Sequence, residues 1–303
     1  MLDISVIILT YNEEIHIRRC IENVKKFTNY IFLVDSFSKD STLEIARTMD
    51  VPVYQNKWEN NHAKQFNWGL NNLPIQTKWV LRLDADEYLT QELIEELQEK
   101  LPTLEENISG VTIPLKRVFM GRHIKRGTGL VTQMRIFKYG KAQCEVRLMD
   151  EHIELLDGVS IPFNGAWVDD NLNSIGWWTI KHNGYAIREA VDLLDIEYNI
   201  IGNANNDKAK ILSSEAIAKR LKKHKYARMP LFWRSFLYFF IRYVIRGGFL
   251  EGKEGFLWHF LQGWWYRTLV DAKIFEIKKA CGNDKEKIEA YLKDKYNIDC
   301  KNQ

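Results

Sequence analysis

Apolar and polar positions alternate with two different periods over the first 90 residues of this chain. Nearly continuous apolar runs are typical of strands that are covered on both faces, and apolar residues at three- and four-residue spacing are typical of helices. The predicted strands are residues 4–9, 30–34, 51–54 and 79–83, and the predicted helices are residues 14–24, 41–49 and 62–73. Strands and helices that alternate through short loops predict an α/β fold with a mostly parallel, doubly wound sheet flanked by helices.

Polar side chains follow three of these strands, at the point where each strand ends. They are Thr10, Tyr11, Asn12 and Glu13 after the first strand, Asp35 after the second, and Asp84 and Asp86, separated by Ala85, after the fourth. Open α/β sheets bind their ligands at the carboxyl ends of the strands. Each group alone could be a turn or a helix cap. Three groups at one edge favour a binding site, and paired carboxylates are typical ligands of Mg²⁺ or Mn²⁺.

The commonest ligand of such a sheet, a dinucleotide, does not fit this sequence. NAD and FAD domains need glycines directly after the first strand, because the backbone must approach the pyrophosphate closely. No glycine precedes Gly69 here, and the glycine-lysine pattern of nucleoside-triphosphate loops is also missing.

Three segments together resemble the family 2 glycosyltransferases, which have the GT-A nucleotide-sugar-binding fold with a Rossmann-like sheet. They are the first strand with Thr10-Tyr11-Asn12-Glu13, the segment 34–42 with Asp35, Ser38 and Asp40, and Leu83-Asp84-Ala85-Asp86-Glu87. Their order, spacing and strand context match that family over residues 4–100. Beyond residue 110 the chain resembles the branch that builds bacterial lipopolysaccharide core and other surface polysaccharides.

The resemblance implies a nucleotide-diphospho-sugar donor, most often a UDP-sugar, and an inverting transfer to a saccharide or lipid-linked saccharide. It implies that Thr10, Tyr11, Asn12 and Glu13 line the nucleotide pocket and that Asp35 holds the uracil or the ribose. It also implies that Asp86 binds Mn²⁺ or Mg²⁺ and that Asp84, next to Ala85, reaches the ribose or the water shell of the metal. Lys64 either contacts a phosphate or is a solvated lysine on a surface helix.

An inverting transfer needs a carboxylate that takes the proton of the acceptor hydroxyl. The resemblance points to the acidic pair at Asp150 and Glu151, with Glu151 as the base and Asp150 as the second candidate. Both could instead be exposed loop charges. His182 is either a further metal ligand or a hydrogen-bonded core residue, and Lys181 beside it is a second candidate phosphate contact.

Charge and cysteine content narrow the class of protein. The chain has 303 residues with a net charge of +3, which gives no reason to expect nucleic acid as a partner. The 4 cysteines are scattered, which is unlike a zinc site or a disulfide framework and fits a reducing cytoplasm. The N-terminus lacks the pattern of a signal peptide, and no apolar run is long enough to predict a membrane-spanning helix.

The distribution of charge is more informative than its sum. Residues 219–246 contain nine Lys or Arg and no acid, interleaved with Phe, Trp and Ile. This composition predicts amphipathic helices that lie on an anionic membrane surface. Two alternatives stay open at this point: the aromatic residues could pack on the catalytic domain, or the surface could bind single-stranded nucleic acid.

The predicted organisation is a catalytic domain over residues 1–215, divided into a nucleotide-sugar half (1–100) and an acceptor half (101–215). Basic-aromatic helices follow at 216–280, and a tail at 281–303. We expect a cytoplasmic enzyme, peripheral on the inner face of the membrane. The alternatives are a non-catalytic nucleotide-sugar-binding scaffold and an aspartate-based phosphotransferase.

Overall fold

A computed structural model describes residues 1–147, 151–201 and 214–300 of the chain. The strands are β1 Ile4–Thr10, β2 Tyr30–Asp35, β3 Val53–Gln55, β4 Trp79–Asp84, β5 Glu87–Leu89, β6 Ile108–Phe119, β7 Arg122–His123, β8 Thr132–Lys138, β9 Ala142–Cys144, β10 Ile153–Leu155, β11 Val159–Pro162 and β12 Trp167–Asp170. The α-helices are α1 Ile17–Val24, α2 Thr42–Thr48, α3 His62–Asn72, α4 Gln91–Lys100, α5 Ile175–Tyr198, α6 Ser214–Ala227, α7 Trp233–Phe240, α8 Gly252–Trp258, α9 Tyr266–Cys281 and α10 Lys285–Tyr296. Every strand and helix predicted for the first 90 residues is present within a few residues of its expected position.

The central sheet has the order β3-β2-β1-β4-β8-β6-β12-β5 in the described part of the chain. Its first four strands are parallel, as predicted, and their register pairs Thr10 with Asp35 and Leu9 with Asp84. The carboxyl ends of β1, β2 and β4 therefore meet at one edge of the sheet.

The second half of the sheet departs from the prediction of a mostly parallel sheet. Strand β8 is antiparallel to both β4 and β6, and β5 is antiparallel to β12. The reason is local, because no helix lies between β6 and β8 to carry the chain back for a parallel pairing. The sheet is thus mixed, with helices on its faces, and it confirms the α/β class and the GT-A architecture that the sequence predicts.

Successive residues of a strand point to opposite faces of the sheet, and each face has its own hydrophobic core. Ile8 faces the core formed with helices α1, α2 and α4, whereas its neighbour Ile7 faces the core formed with α3. Helices and strands cover both faces of β1, which explains why all seven of its residues are buried.

A third core joins α5 to the C-terminal helices. Leu194 of α5, Ile274 of α9 and Leu292 of α10 are among its buried residues. The predicted division at residue 215 stays a prediction, although α5 on its N-terminal side shares this core with helices beyond it. None of the helices in the described ranges has the length and apolar character needed to cross a membrane.

Candidate active site

The loop after β1 is braced against the loop after β2. Asn12 has a φ of 55°, a left-handed conformation that asparagine tolerates better than most residues. Its side-chain oxygen accepts from Lys39 N at 2.8 Å, and its own backbone N–H donates to Ser38 Oγ at 2.9 Å. The backbone N–H of Glu13 donates to Thr42 Oγ1 at 2.8 Å. These bonds hold the first polar edge in a fixed shape, with Tyr11 and Asn12 exposed.

Asp35 is fully buried at the end of β2. It accepts hydrogen bonds from Thr10 Oγ1 at 3.1 Å, from Ser38 N and Oγ at 2.9 and 2.5 Å, and from Gln55 Nε2 at 3.3 Å. Thr10 is buried as well. Thr10 and Asp35 therefore support this edge of the sheet from the buried side. Direct contact of Asp35 with a nucleotide stays a prediction.

Glu87 is the structural centre of the acidic segment after β4. Its carboxylate accepts from Arg135 Nη2 and Trp167 Nε1, both at 2.9 Å, from Arg135 Nη1 at 3.2 Å and from the backbone N–H of Asp84 at 2.9 Å. Burial raises the pKa of Glu87 to about 8 against the opposing charge of Arg135. All four of these contacts are donors, and they favour the ionised form. Glu87 therefore fixes the backbone from which Asp84 projects.

Asp84 itself is available to a ligand. Its Oδ1 atom is buried and has no hydrogen-bond partner among the described residues. Burial opposes ionisation of Asp84, but the charges of Arg82 and Arg135 outweigh it, so that the pKa of this carboxyl lies below its ordinary value. A buried, ionised oxygen without a partner is costly unless something binds it.

Asp86 lies beside the end of β12. Asn171 Nδ2 donates to its Oδ2 at 2.8 Å, and Arg19 Nη2 donates to its backbone oxygen at 3.2 Å. Burial, and next the charge of Asp169, raise the pKa of Asp86 to about 6. Ala85, between the two acids, is buried and takes no part in this charge cluster. Excess negative charge at Asp86 is a feature that a bound cation would relieve.

The residues present fit a divalent cation held by Asp84 and Asp86. Magnesium-type ions commonly use one or two carboxylates and leave their other positions to water and substrate phosphates. In the described part of the chain, no group of three or more His, Cys, Asp or Glu side chains forms a complete protein-only metal site. The fit therefore rests on the unpartnered oxygen of Asp84 and on the crowded charge at Asp86.

His182 makes its hydrogen bond and its closest ring contact within its own helix, α5. Its ring stacks on Trp178 with centroids 3.4 Å apart, and its Nδ1 atom bonds the Trp178 carbonyl oxygen at 2.9 Å. Burial lowers its pKa to about 4. This geometry favours the alternative of a hydrogen-bonded core histidine, and a role of His182 as a metal ligand stays a prediction.

The two lysines considered as phosphate contacts have different surroundings. Lys181 lies over the Trp177 ring at 4.5 Å. Burial alone would lower its pKa, but Tyr185, Asp86 and Glu13 raise it, in that order of strength. Its charge is therefore influenced by the acids at this edge of the sheet. Lys64, in the first turn of α3, is 3.8 Å from Glu59 and partly exposed.

Glu151 pairs with Arg82, whose charge is also influenced by Asp84. Arg82 Nη2 donates to Glu151 Oε1 at 3.1 Å, and Arg82 Nη1 donates to the sulfur of Cys144 at 3.3 Å. Burial lowers the pKa of His62, which also lies within the electrostatic influence of Glu151 and then of Asp84. Glu151 and Asp84 therefore both influence the charges of His62 and Arg82. Asp150, the second candidate for the base, lies outside the described residues.

Several site residues were not assigned a role from the sequence. Glu87 stood within the acidic segment, but its partners Arg135 and Trp167 come from strands 48 and 80 residues away. Asn171 contacts Asp86 across 85 residues. The acid-rich end of β12, Val168-Asp169-Asp170-Asn171, was the signal in the sequence that could have indicated a further polar edge.

Comparison with known proteins gives a family match in the N-terminal half and relatives that match part of the chain. Residues 5–146 match the family model described as glycosyl transferase family 2. An uncharacterized glycosyltransferase of Rickettsia typhi is 37% identical over 98 residues, which are 32% of this chain and 32% of that protein. Glycosyltransferase SunS of Bacillus phage SPbeta is 32% identical over 89 residues, which are 28% of this chain and 20% of that protein. The matched part thus spans about a third or less of the length of these relatives.

Among solved structures, the chain is similar to residues 1–349 of Staphylococcus aureus TarS in complex with UDP. The identity is 24% and the TM-score 0.33, with 42% of this chain and 39% of that chain covered. It is also similar to glucosyl-3-phosphoglycerate synthase of Mycobacterium tuberculosis in complex with Mn²⁺, UDP and glucosyl-3-phosphoglycerate. There the identity is 21% and the TM-score 0.30, with 39% of this chain and 44% of that chain covered.

Proposed function

Residues 5–146 belong to glycosyl transferase family 2, and we propose that the chain transfers a sugar from a nucleoside-diphospho-sugar to an acceptor hydroxyl with inversion. The observation that carries the proposal is that two acids interact with Arg82 near the end of β4, Glu151 through an ion pair and Asp84 through its charge. Asp84 has an unpartnered buried oxygen, and Glu151 is held 3.1 Å from Arg82. One acid is available to a cation and the other to a proton.

The donor is expected to lie along the ends of β1, β2 and β4. Tyr11, Asn12 and Glu13 would contact the nucleoside, with Thr10 and Asp35 behind them. Lys181 would contribute a positive charge for a diphosphate at this edge, because its pKa is raised by the charges of Asp86 and Glu13 after that of Tyr185. A UDP-sugar is the first donor to test, and Lys64 is a weaker candidate for a phosphate contact.

The proposed chemical step is a single displacement. The acceptor oxygen forms a bond to the anomeric carbon while the bond from that carbon to the diphosphate oxygen breaks. Glu151 takes the proton of the acceptor hydroxyl, and the leaving nucleoside diphosphate keeps the electron pair. Arg82 would orient Glu151 for that proton transfer.

A divalent cation would be held by Asp86 with Asp84, and it would supply charge stabilisation for the diphosphate leaving group. Mn²⁺ and Mg²⁺ are the ions that these oxygen ligands favour. Glu87 and Asn171 would hold the two acids in place through the contacts described above.

We propose a saccharide or lipid-linked saccharide as the acceptor, within the synthesis of a bacterial surface polysaccharide or lipopolysaccharide. An acceptor anchored in lipid would place the reaction at the inner face of the cytoplasmic membrane. This part of the proposal rests on the resemblance of the segment after residue 110 and on the composition of residues 219–246.

The test is turnover of a panel of nucleotide-sugars with Mn²⁺, Mg²⁺ or a chelator, alongside calorimetric binding of the nucleoside diphosphate. Glu151→Gln is expected to keep nucleotide binding and to lose turnover. Asp86→Asn is expected to lose metal-supported nucleotide binding and turnover together. Asp157→Asn, a change at an exposed acid that pairs with Lys141, is the matched control and should leave both unchanged.

The alternatives give different results in the same experiment. A scaffold would bind a nucleotide-sugar but show no turnover with any acceptor or with water. An aspartate-based phosphotransferase would form a covalent phosphate on Asp84 or Asp86, which mass spectrometry of the intact chain would detect. Full activity in Asp86→Asn would remove the basis of the metal assignment.

A further inference from the structure

The helix that starts at Trp233 carries its large apolar side chains on the outside. Helix α7 continues without a break into a π-helical segment, Ile241–Ile245. Exposed apolar residues recur along this helix at the three- and four-residue spacing of a single helical face. They are Trp233, Phe236, Leu237, Phe240, Ile241, Val244 and Ile245. Trp233 is 72% exposed and Ile245 is 68% exposed.

The opposite face of the same helix is charged and buried. Arg234 is 2% exposed, and its Nε and Nη2 atoms lie 2.7 and 2.6 Å from Asp271 Oδ1. Arg242 is 3% exposed and donates to Gln262 Oε1 at 2.6 Å. A helix packed on a soluble domain normally buries its apolar face and exposes its charges. This helix does the reverse, and the two arginines tie it to α9 and to the preceding π-helical segment His259–Trp265.

The exposed face extends beyond this helix. Tyr243 contacts Phe249 and Phe256, with ring centroids 6.4 and 5.7 Å apart. Phe249 and Leu250 are 52% and 53% exposed. We call the exposed apolar residues of the helix, together with Phe249, Leu250 and Phe256, the outer apolar face. Contiguous apolar surface of this kind marks an interaction site rather than ordinary scatter.

Cations border the outer apolar face, and the acid that follows its helix in the sequence is buried. The side chain of Arg126 lies against Gly247, and that of Arg246 lies against Gly129; both arginines are exposed. Residues 216–250 contain no acid. The next acid, Glu251, is buried and accepts from the backbone of Lys125 and Arg126.

We infer that the outer apolar face inserts into the interfacial layer of an anionic lipid membrane, with Arg126 and Arg246 at the headgroups. Aromatic residues with flanking cations are typical of helices that lie in this layer. A second copy of the chain fits less well, because a two-fold contact through this face would bring its arginine rims together.

The structure narrows which of the basic residues predicted to contact the membrane can reach it. Arg234 and Arg242 count toward the basic composition, but they are buried and cannot reach a headgroup. Apolar insertion therefore supplies most of the affinity, and the remaining cations add selectivity for anionic lipid. The consequence is that binding should survive salt that abolishes a purely electrostatic contact.

The experiment is co-sedimentation of the full chain with vesicles of phosphatidylcholine alone or with phosphatidylglycerol. It is done at low salt and at about 1 M salt, where the Debye length is about 3 Å. The inference deepens the membrane location in the proposed function, but vesicle binding is measured without donor or acceptor, so the two can fail separately. We expect the chain to bind both vesicles, to prefer the anionic ones at low salt, and to keep most of its binding at high salt.

Variants separate insertion from charge. Trp233→Ser with Ile245→Ser should weaken binding by about tenfold or more, since less apolar area enters the membrane. The control is Leu156→Ser with Val159→Ser. These two apolar residues are 55% and 52% exposed on the sheet domain, and this variant should bind vesicles like the parent. Arg126→Gln with Arg246→Gln should weaken binding to anionic vesicles at low salt.

Two results would overturn the inference. The first is binding that high salt abolishes and that Trp233→Ser with Ile245→Ser leaves unchanged, which would indicate electrostatic adsorption elsewhere. The second is the absence of vesicle binding together with a dimer in sedimentation velocity that the same double variant dissociates. Phe249→Ser with Leu250→Ser is an independent second variant if the first changes the thermal unfolding of the chain.

Discussion

Replacing Glu87 by glutamine is expected to destabilise the fold and to displace Asp84, although the two side chains have the same shape. The carboxylate accepts four hydrogen bonds, from Asp84 N, Trp167 Nε1 and two nitrogens of Arg135. An amide has one accepting oxygen, and its NH₂ group would face a donor. Arg135, whose side chain is 12% exposed, would also lose its counter-charge.

The size of the effect follows from that burial. Removing one partner of a buried ion pair costs about 3–5 kcal/mol, because the other charge stays buried without compensation. At about 2–4 °C per kcal/mol for a domain of this size, the melting temperature should fall by about 6–20 °C. Changing Arg135 to methionine as well should recover part of the loss, since no unpaired charge then remains.

The assay is thermal and urea unfolding of the parent, Glu87→Gln and the double variant at a pH above 8, where Glu87 is ionised. Asp157→Asn is the control, because Asp157 pairs with Lys141 on the exposed surface, and its unfolding should match that of the parent. The reasoning is refuted if Glu87→Gln unfolds within about 1 kcal/mol of the parent, the smallest cost expected of one unsatisfied buried group.

Two further predictions test single charges. Mn²⁺ binding, measured by calorimetry, should strengthen as pH rises through about 6, because Asp86 must lose its proton to bind the cation. Asp169→Asn, which removes a neighbouring negative charge, should move that midpoint to lower pH, and an unchanged or higher midpoint would contradict it. Asp271→Asn leaves the buried charge of Arg234 unpaired and should lower the free energy of unfolding in urea by about 3–5 kcal/mol; a change below about 1 kcal/mol would exclude a structural role for this pair.

Local patterns were sufficient to predict the first half of the fold. Strand β1 reads as a buried strand because both of its faces are covered, and the chain from β1 to β4 returns through helices that the apolar spacing reveals. The pairing of β8 between β4 and β6 was not predictable in the same way. The position of β8 depends on which edge of the sheet is still unpaired, and this is set by strands far away in the sequence. No pattern within residues 132–138 contains that information.

The candidate site shows the same division between local and long-range information. Asp84 and Asp86 could be singled out because they directly follow a buried strand. Glu87, in the same segment, received no role because its function depends on Arg135 and Trp167, which reach it only after the sheet has formed. His182 illustrates the converse, since its ring contacts Trp178 in its own helix, which favours the alternative of a core histidine, and its role as a metal ligand stays a prediction.

The C-terminal segment shows why composition alone misjudges a surface. A count of basic residues treats Arg234 and Arg246 alike, yet Arg234 is buried against Asp271 and Arg246 is exposed. Burying a guanidinium is costly, and the cost is offset here by an ion pair with Asp271 on another helix. That pairing fixes the rotation of the helix, and the rotation turns Trp233 and Ile245 outward. Because the charges hold the helix in place from inside, its apolar face is free to contact lipid, and binding that resists salt is the direct physical consequence.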